Sequence, residues 1–143
     1  MIQYQLKHED LIEHTTHTDF KIIEATDNNI IEHCINLFSL EIQWDNMFNI
    51  EQSLQRIERG EKMFVGYKNE DIFCYCWIRQ DNEQSYYIYN VFSKKPKSLR
   101  KIGVIDLLYS AIKHHTNGII TGEVDEWNIQ SQKITEKLGF KRI

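Results

Sequence analysis

Several groups of residues in this chain carry binding or reactive chemistry by type and spacing. The most pointed is Lys94-Lys95-Pro96-Lys97-Ser98-Leu99-Arg100-Lys101-Ile102-Gly103-Val104, where a basic stretch opens a helical pattern. A helix start exposes unpaired N–H groups and carries partial positive charge. Gly103 lets a ligand approach the backbone, and Lys94, Lys95, Lys97, Arg100 and Lys101 add a local positive field, so a phosphate-like anion is what this segment suits. Its plainer reading is a solvated basic loop with a helix-packing glycine. Cys74-x-Cys76 puts two thiols on one strand face, but no second ligand pair follows at zinc spacing, so buried packing is expected. His8, His14 and His17 read as exposed residues that would take a metal only adventitiously, and no metal is expected. His114-His115 end a helical pattern, where the negative helix end favours cationic side chains. Neither a Ser-His-Asp set nor a Walker-type loop can be assembled.

These residues need elements to hold them. Phe20–Ala25 reads as a strand ended by polar residues 26–29, which also offer helix N-caps. Ile30, Ile31, Cys34, Ile35, Leu37 and Phe38 recur at helical spacing, and a second helix follows at about Ile50–Arg59 with Gly60 as its stop. Met63–Tyr67, Asp71–Ile78 and Ser85–Phe92 are strands joined by short polar turns, too short for crossovers, so antiparallel pairing is expected. Leu99, Ile102, Ile105, Leu108, Tyr109 and Ile112 share a helical face; Ile119–Val124 is a further strand, and Ile129–Lys137 a helix closed by Gly139. The strand–helix–strand unit over 85–124 predicts a parallel, right-handed pair. The first residues are polar and stay open among an arm, a short helix and an added edge strand. The expected division is therefore an N-terminal arm at 1–18 and one mixed α/β domain over 19–143.

The chain has 143 residues, 41% of them apolar and 27% charged, enough to bury a core and to exclude a disordered tail or a fibrous protein. No apolar run approaches the roughly 18–20 residues of a membrane span, and the N-terminal residues lack the pattern of a signal peptide. The net charge of −4 argues against a dedicated nucleic-acid binder. Three cysteines, an odd number, read as reduced thiols in a cytoplasmic protein.

One stretch carries a specific resemblance. Val124-Asp125-Glu126-Trp127-Asn128-Ile129-Gln130-Ser131, followed by a helix ending in Glu136-Lys137-Leu138-Gly139-Phe140, resembles the C-terminal motif of the GNAT N-acetyltransferase superfamily. There a strand valine is followed by an Asn four residues on, a small residue three later, and a helix ending Glu-Lys-Leu-Gly-Phe. The resemblance covers about residues 19–143. Arg100-Lys101-Ile102-Gly103-Val104-Ile105 is similar to the family's coenzyme A pyrophosphate loop, Arg/Gln-x-x-Gly-x-Gly/Ala, with Ile105 in place of the usual small residue. The resemblance implies a central mixed sheet, mostly antiparallel, whose fourth and fifth strands are parallel and splay apart, flanked by about four helices.

It also implies acetyl-CoA as acyl donor and an amine-bearing acceptor, a small molecule or a protein amine, in a monomer or homodimer without metal, nucleic acid or membrane. The thioester would lie in the gap between the splayed strands. Backbone around Val91 and Phe92 would hold the pantetheine and polarise the carbonyl; Arg100, Lys101, Ile102, Gly103, Val104, Asn128 and Ser131 would bind the rest of the donor. Attack on a thioester needs a deprotonated amine, and an alkylamine with pKa near 10.4 is protonated at neutral pH. Glu123, on the fifth strand near the splay, is the first candidate base. Tyr87 and Tyr89 alternate with Tyr86 and Ile88, so one pair faces the cleft, and Tyr89 stands with Glu123 as a catalytic candidate. Glu41, Trp44 and Asp45 fall where the family builds its acceptor wall. Family members often protonate the departing thiolate with a tyrosine, at the position Thr135 fills here. A GNAT-fold protein that binds acyl-CoA or a protein partner with little catalysis is the alternative.

Overall fold

The computed structural model describes residues 1–17, 19–41, 47–94 and 97–143, the side chains of 40, 41 and 97–102 excepted. Seven strands, numbered in chain order, are β1 (Ile2–Lys7), β2 (Phe20–Glu24), β3 (Lys62–Lys68), β4 (Asp71–Asn82), β5 (Ser85–Ser93), β6 (Ile119–Val124) and β7 (Lys141–Arg142). The helices are α1 (Asn28–Glu41), α2 (Ile50–Glu58), α3 (Lys97–His115) and α4 (Ile129–Lys137), and no described helix is long and apolar enough to cross a membrane. The strands form one sheet in the order β2-β3-β4-β5-β6-β1-β7.

Residues 2–7 settle the question left open at the N-terminus. Tyr4 and Leu6 are buried while Gln3 and Lys7 are exposed, the two-residue alternation of a strand with one covered face. β1 is antiparallel to β6 on one side and to β7 on the other, so it is an added strand but an interior one. The two-residue β7 is too short to leave a sequence signal and forms because the chain leaves α4 beside Tyr4 and Gln5.

Two apolar layers sandwich the sheet. α3 and α4 cover one face through Val104, Leu107, Leu108, Ala111, Ile112, Ile134 and Leu138, against Phe64, Cys76, Ile78, Tyr86, Ile88 and Ile120. α1 and α2 cover the other, with Ile31, Cys34, Ile35 and Phe38 against Met63, Val65, Tyr75, Trp77 and Phe92. All three thiols are buried within these layers, and desolvation pushes Cys34 up to about 12, so they are inert packing groups. α2 starts with a reciprocal cap: Asn49 Oδ1 accepts from Gln52 N–H at 2.8 Å, and Gln52 Oε1 accepts from Asn49 N–H at 3.0 Å.

The end of α3 differs from the expectation of cationic histidines. The His115 ring lies 4.6 Å from the Phe64 ring, and burial there lowers its pKa, opposed by Glu24 at 3.9 Å. The unfolded state therefore binds the proton more readily. This group's contribution to stability is present above about pH 6.5 and lost as pH falls through the lower folded value. An NMR titration should place the His115 midpoint below that of a model histidine; a raised midpoint would contradict the packing.

Candidate functional site

The expected parallel pair is β5 and β6, adjacent in the sheet. Their ladder covers only Ser85↔Ile119, Tyr86↔Ile120 and Tyr87↔Thr121, although β5 runs on to Ser93 and β6 to Val124. Beyond that point each strand is held by its outer neighbour: Phe92 by Tyr75 and Ser93 by Cys74 of β4, Glu123 by Gln3 and Val124 by Ile2 of β1. Two strands each tied outward and no longer tied to each other make an opening at the C-terminal end of the pair.

A bulge in β5 shapes one wall of this opening. Trp77 faces Tyr89 and Tyr75 faces Phe92, so three steps on β5 match two on β4 and one residue is extra. Asn90 absorbs it with φ of 49°, a left-handed conformation that asparagine tolerates better than most side chains. The extra residue inverts the alternation: Tyr86 and Ile88 belong to the α3/α4 layer, whereas Phe92 packs on Tyr75 in the α1/α2 layer. Val91 is left 37% exposed just past the bulge.

On the α1/α2 side of the same strands stands a polar and aromatic wall. Tyr87 and Thr121 pair, and Tyr89 and Glu123 follow two residues further on the same face. Tyr87 and Tyr89 stack at 5.5 Å, and the Arg79 guanidinium lies 4.8 Å over Tyr87 while its Nε donates to Asp81 at 2.6 Å. Burial raises the Tyr87 pKa, with the Glu123 charge adding to it and Arg79 opposing. The Tyr89 hydroxyl donates to Glu61, and Arg56 Nη1 reaches both that hydroxyl and Glu61 at 3.2 Å. Burial and the hydrogen bond to Glu61 push the Tyr89 pKa well up. Arg56 also lies 3.7 Å over the Phe48 ring. Tyr89 is thus a neutral donor in a fixed network, while Glu123 is exposed on the open side of the wall.

Arg56, Glu61 and Phe48 escaped the sequence reading, because their meeting depends on Arg56 of α2 reaching Tyr89 of β5, 33 residues away. The sign that could have suggested it is the charged pair Arg56 and Glu61 flanking Gly60, a turn with φ of 94° that folds the two back on each other.

The anion segment is placed differently from expectation. α3 starts at Lys97, so Gly103 and Val104 lie in its second turn and its free N–H groups precede them. Gly103 and Val104 are buried against the sheet; a Cβ at Gly103 would stand 2.5 Å from the Phe73 ring. The missing side chain lets the helix pack against Phe73, as the plainer of the two readings expects. The side chains of Arg100, Lys101 and Ile102 lie outside the described residues, as do Trp44, Asp45 and the side chain of Glu41.

At the start of α4, Asn128 caps the helix, its Oδ1 accepting from Ser131 N–H at 3.2 Å, and Gln132 Nε2 donates to Glu126 O at 2.9 Å and Asp125 O at 3.2 Å. The Asn-x-x-Ser spacing is therefore a helix cap in its own right. Thr135 Oγ1 donates to Ser131 O at 2.7 Å, which commits its proton inside the helix. If Thr135 occupies the thiol end of a donor site, Thr135→Tyr should change turnover by less than about tenfold, roughly 1.4 kcal/mol in barrier, since a thiolate leaves without an acid near neutral pH. A hundredfold gain in steady-state assays would contradict this.

No protein-family model and no curated protein matches the sequence. Solved structures do. The chain is similar to a GCN5-related N-acetyltransferase from Kribbella flavida, with a TM-score of 0.65 at 8% identity over 99% of this chain and 53% of that one. It is similar to a tandem GNAT protein from the clavulanic acid biosynthesis pathway, TM-score 0.65 at 11% identity over 99% and 49%. An acetyltransferase from Streptococcus agalactiae aligns over 89% of this chain and 86% of that one, TM-score 0.55 at 18% identity. The chain spans about half the length of the first two. With the mixed seven-stranded sheet, the parallel β5/β6 pair that separates at its C-terminal end, and helices on both faces, the chain has the fold of the GCN5-related N-acetyltransferase superfamily.

Proposed function

We propose that the protein is an acyl-CoA-dependent N-acyltransferase that moves an acetyl group from the thioester to a primary amine by direct attack. The observation that carries this reading is the opening between β5 and β6, where the ladder stops after Tyr87 and Thr121 and the Asn90 bulge exposes Val91. An extended thioester arm fits such an opening, with the acyl carbon between the two faces of the sheet. The Val91 backbone N–H is the proposed oxyanion donor, with Phe92 holding the strand against β4, a contribution of roughly 3–4 kcal/mol in comparable sites.

The acceptor would enter from the α1/α2 face. Its ammonium is attracted by the exposed Glu123 carboxylate, since Asp81 is paired with Arg79. Glu123 takes one proton from the ammonium, the freed lone pair attacks the thioester carbon, and collapse of the tetrahedral adduct expels the thiolate; the second proton, on the adduct nitrogen, passes through water to the departing sulfur. Tyr89 holds its place through Glu61 and Arg56 and positions the acceptor rather than exchanging a proton. Arg100, Lys101 and Ile102 with the first turn of α3 are the proposed contacts of the donor's phosphates, and Asn128 and Ser131 flank the thioester arm.

Binding of acyl-CoA without efficient transfer is the second reading, and a specific observation favours it: Thr135 and Tyr89 both have their protons committed within the protein. A screen of small amines, aminoglycosides and peptides for release of free coenzyme A thiol separates the two. Acceptor-dependent thiol release supports the transferase; donor binding with no acceptor-dependent release across the screen supports the second reading.

A further inference from the structure

The segment between β1 and β2 brings metal-binding side chains together on the far side of α3. β1 lies near one end of the sheet and β2 is its opposite edge, so the intervening chain crosses one face, and its bonds to Leu138 and Asp106 put it over the α3/α4 layer. It is pinned as it crosses by Ile12 N–H, which donates to Leu138 O at 3.0 Å, and it turns into β2 with Phe20 N–H donating to His17 O at 3.1 Å. Between those bonds, His14 Nε2 lies 2.5 Å from Asp106 Oδ1 and His17 Nδ1 lies 3.2 Å from Asp106 Oδ2, which also accepts from His17 N–H at 2.9 Å. The ligand atoms of the three residues all lie within 4.8 Å of one another.

Asp106 is 0% exposed. A carboxylate removed from water costs several kcal/mol unless a positive charge balances it. Its partners here are two imidazoles, which when neutral offer only dipoles. Two imidazole nitrogens and one carboxylate oxygen are the donor set of zinc and similar first-row divalent ions. The rings are oriented from outside the cluster, His14 edge-on to Tyr109 at 5.5 Å and His17 edge-on to Phe20 at 6.1 Å. The His17 N–H bond holds the carboxylate as outer-sphere partners hold metal ligands.

We propose that His14, His17 and Asp106 form a divalent-cation site of the zinc type that fastens the β1–β2 connection across α3. Tetrahedral coordination at about 2.0–2.1 Å sets the ligand atoms about 3.3 Å apart, so on loading the 2.5 Å His14–Asp106 contact opens by about 1 Å while the widest separation, within 4.8 Å, closes by up to about 1.5 Å. The fourth position faces solvent beside His17, whose side chain is 45% exposed. His8 is not part of the site; its Nε2 lies 3.3 Å from Lys113 O.

The test uses the untagged, chelator-treated full chain titrated with Co²⁺, followed by its visible d–d absorption, then displaced with Zn²⁺. One equivalent of Co²⁺ should saturate, and Zn²⁺ should displace it and raise the melting temperature. His17→Ala, an exposed position whose fold is checked by circular dichroism, should weaken both ions at least about tenfold, about 1.4 kcal/mol. It should also abolish the Zn²⁺-dependent rise in melting temperature, while His8→Ala and His114→Ala behave as wild type. Absence of a saturable band, or equal affinity in His17→Ala, would overturn the proposal and leave the cluster as a hydrogen-bonded clasp.

Discussion

Gly103→Asp is expected to destabilise the whole domain rather than strip an intact one of an anion site. A Cβ at this position would stand 2.5 and 2.6 Å from two atoms of the Phe73 ring and 3.2 Å from Phe20. Phe73 is itself 6% exposed, so the ring has little room to retreat. Overpacking of this kind costs about 1–3 kcal/mol. A carboxylate forced between two aromatic rings adds a desolvation penalty of several kcal/mol. Against a typical total stability of about 5–15 kcal/mol, the sum leaves a largely unfolded or marginal chain. Chemical denaturation should show Gly103→Ala weakened by about 1–3 kcal/mol, and Phe73→Leu should recover part of that loss in the double variant. Wild-type stability in Gly103→Asp would mean that α3 does not pack against Phe73. Loss of donor binding in this variant would therefore say little about phosphate.

Glu123→Gln is expected to lower turnover by at least about a hundredfold while donor affinity stays unchanged. The amide keeps the shape of the side chain and removes the ability to take a proton. Glu123 is exposed on the acceptor side and its backbone is held by Gln3 of β1, so the substitution should cost little stability. Steady-state kinetics with a responsive acceptor, alongside donor titration, separate the two effects. Undiminished turnover would move the proton acceptor to another group or to water. Tyr89→Phe should act differently: it leaves Glu61 to Arg56 alone and should lower stability and acceptor affinity together.

Legibility varied with how local the cause was. Apolar periodicity exposed α1, β3, β4 and β6 directly, and the Gly60 and Gly139 stops hold positive φ of 94° and 108°. β1 was in principle legible, since Ile2-Gln3-Tyr4-Gln5-Leu6-Lys7 alternates strictly, but its polar members obscured the pattern and its interior place follows from β6 needing a partner. The β5/β6 pair followed from the strand–helix–strand order, whereas the Asn90 bulge leaves no signal beyond an asparagine. Gly103 carried both readings in the sequence, and the Phe73 ring that makes its packing role visible is 30 residues away. The Tyr89–Glu61–Arg56 network and the His14–His17–Asp106 cluster join residues 28 and 92 apart, separations that no local pattern encodes.

The central claim is that the β5/β6 opening receives an acyl-CoA, and calorimetric titration of the full chain with acetyl-CoA tests it most directly. A single saturable site, with affinity reduced by neutralising Arg100 and Lys101 together, is the expected result. Absence of saturable binding by a folded chain would contradict it.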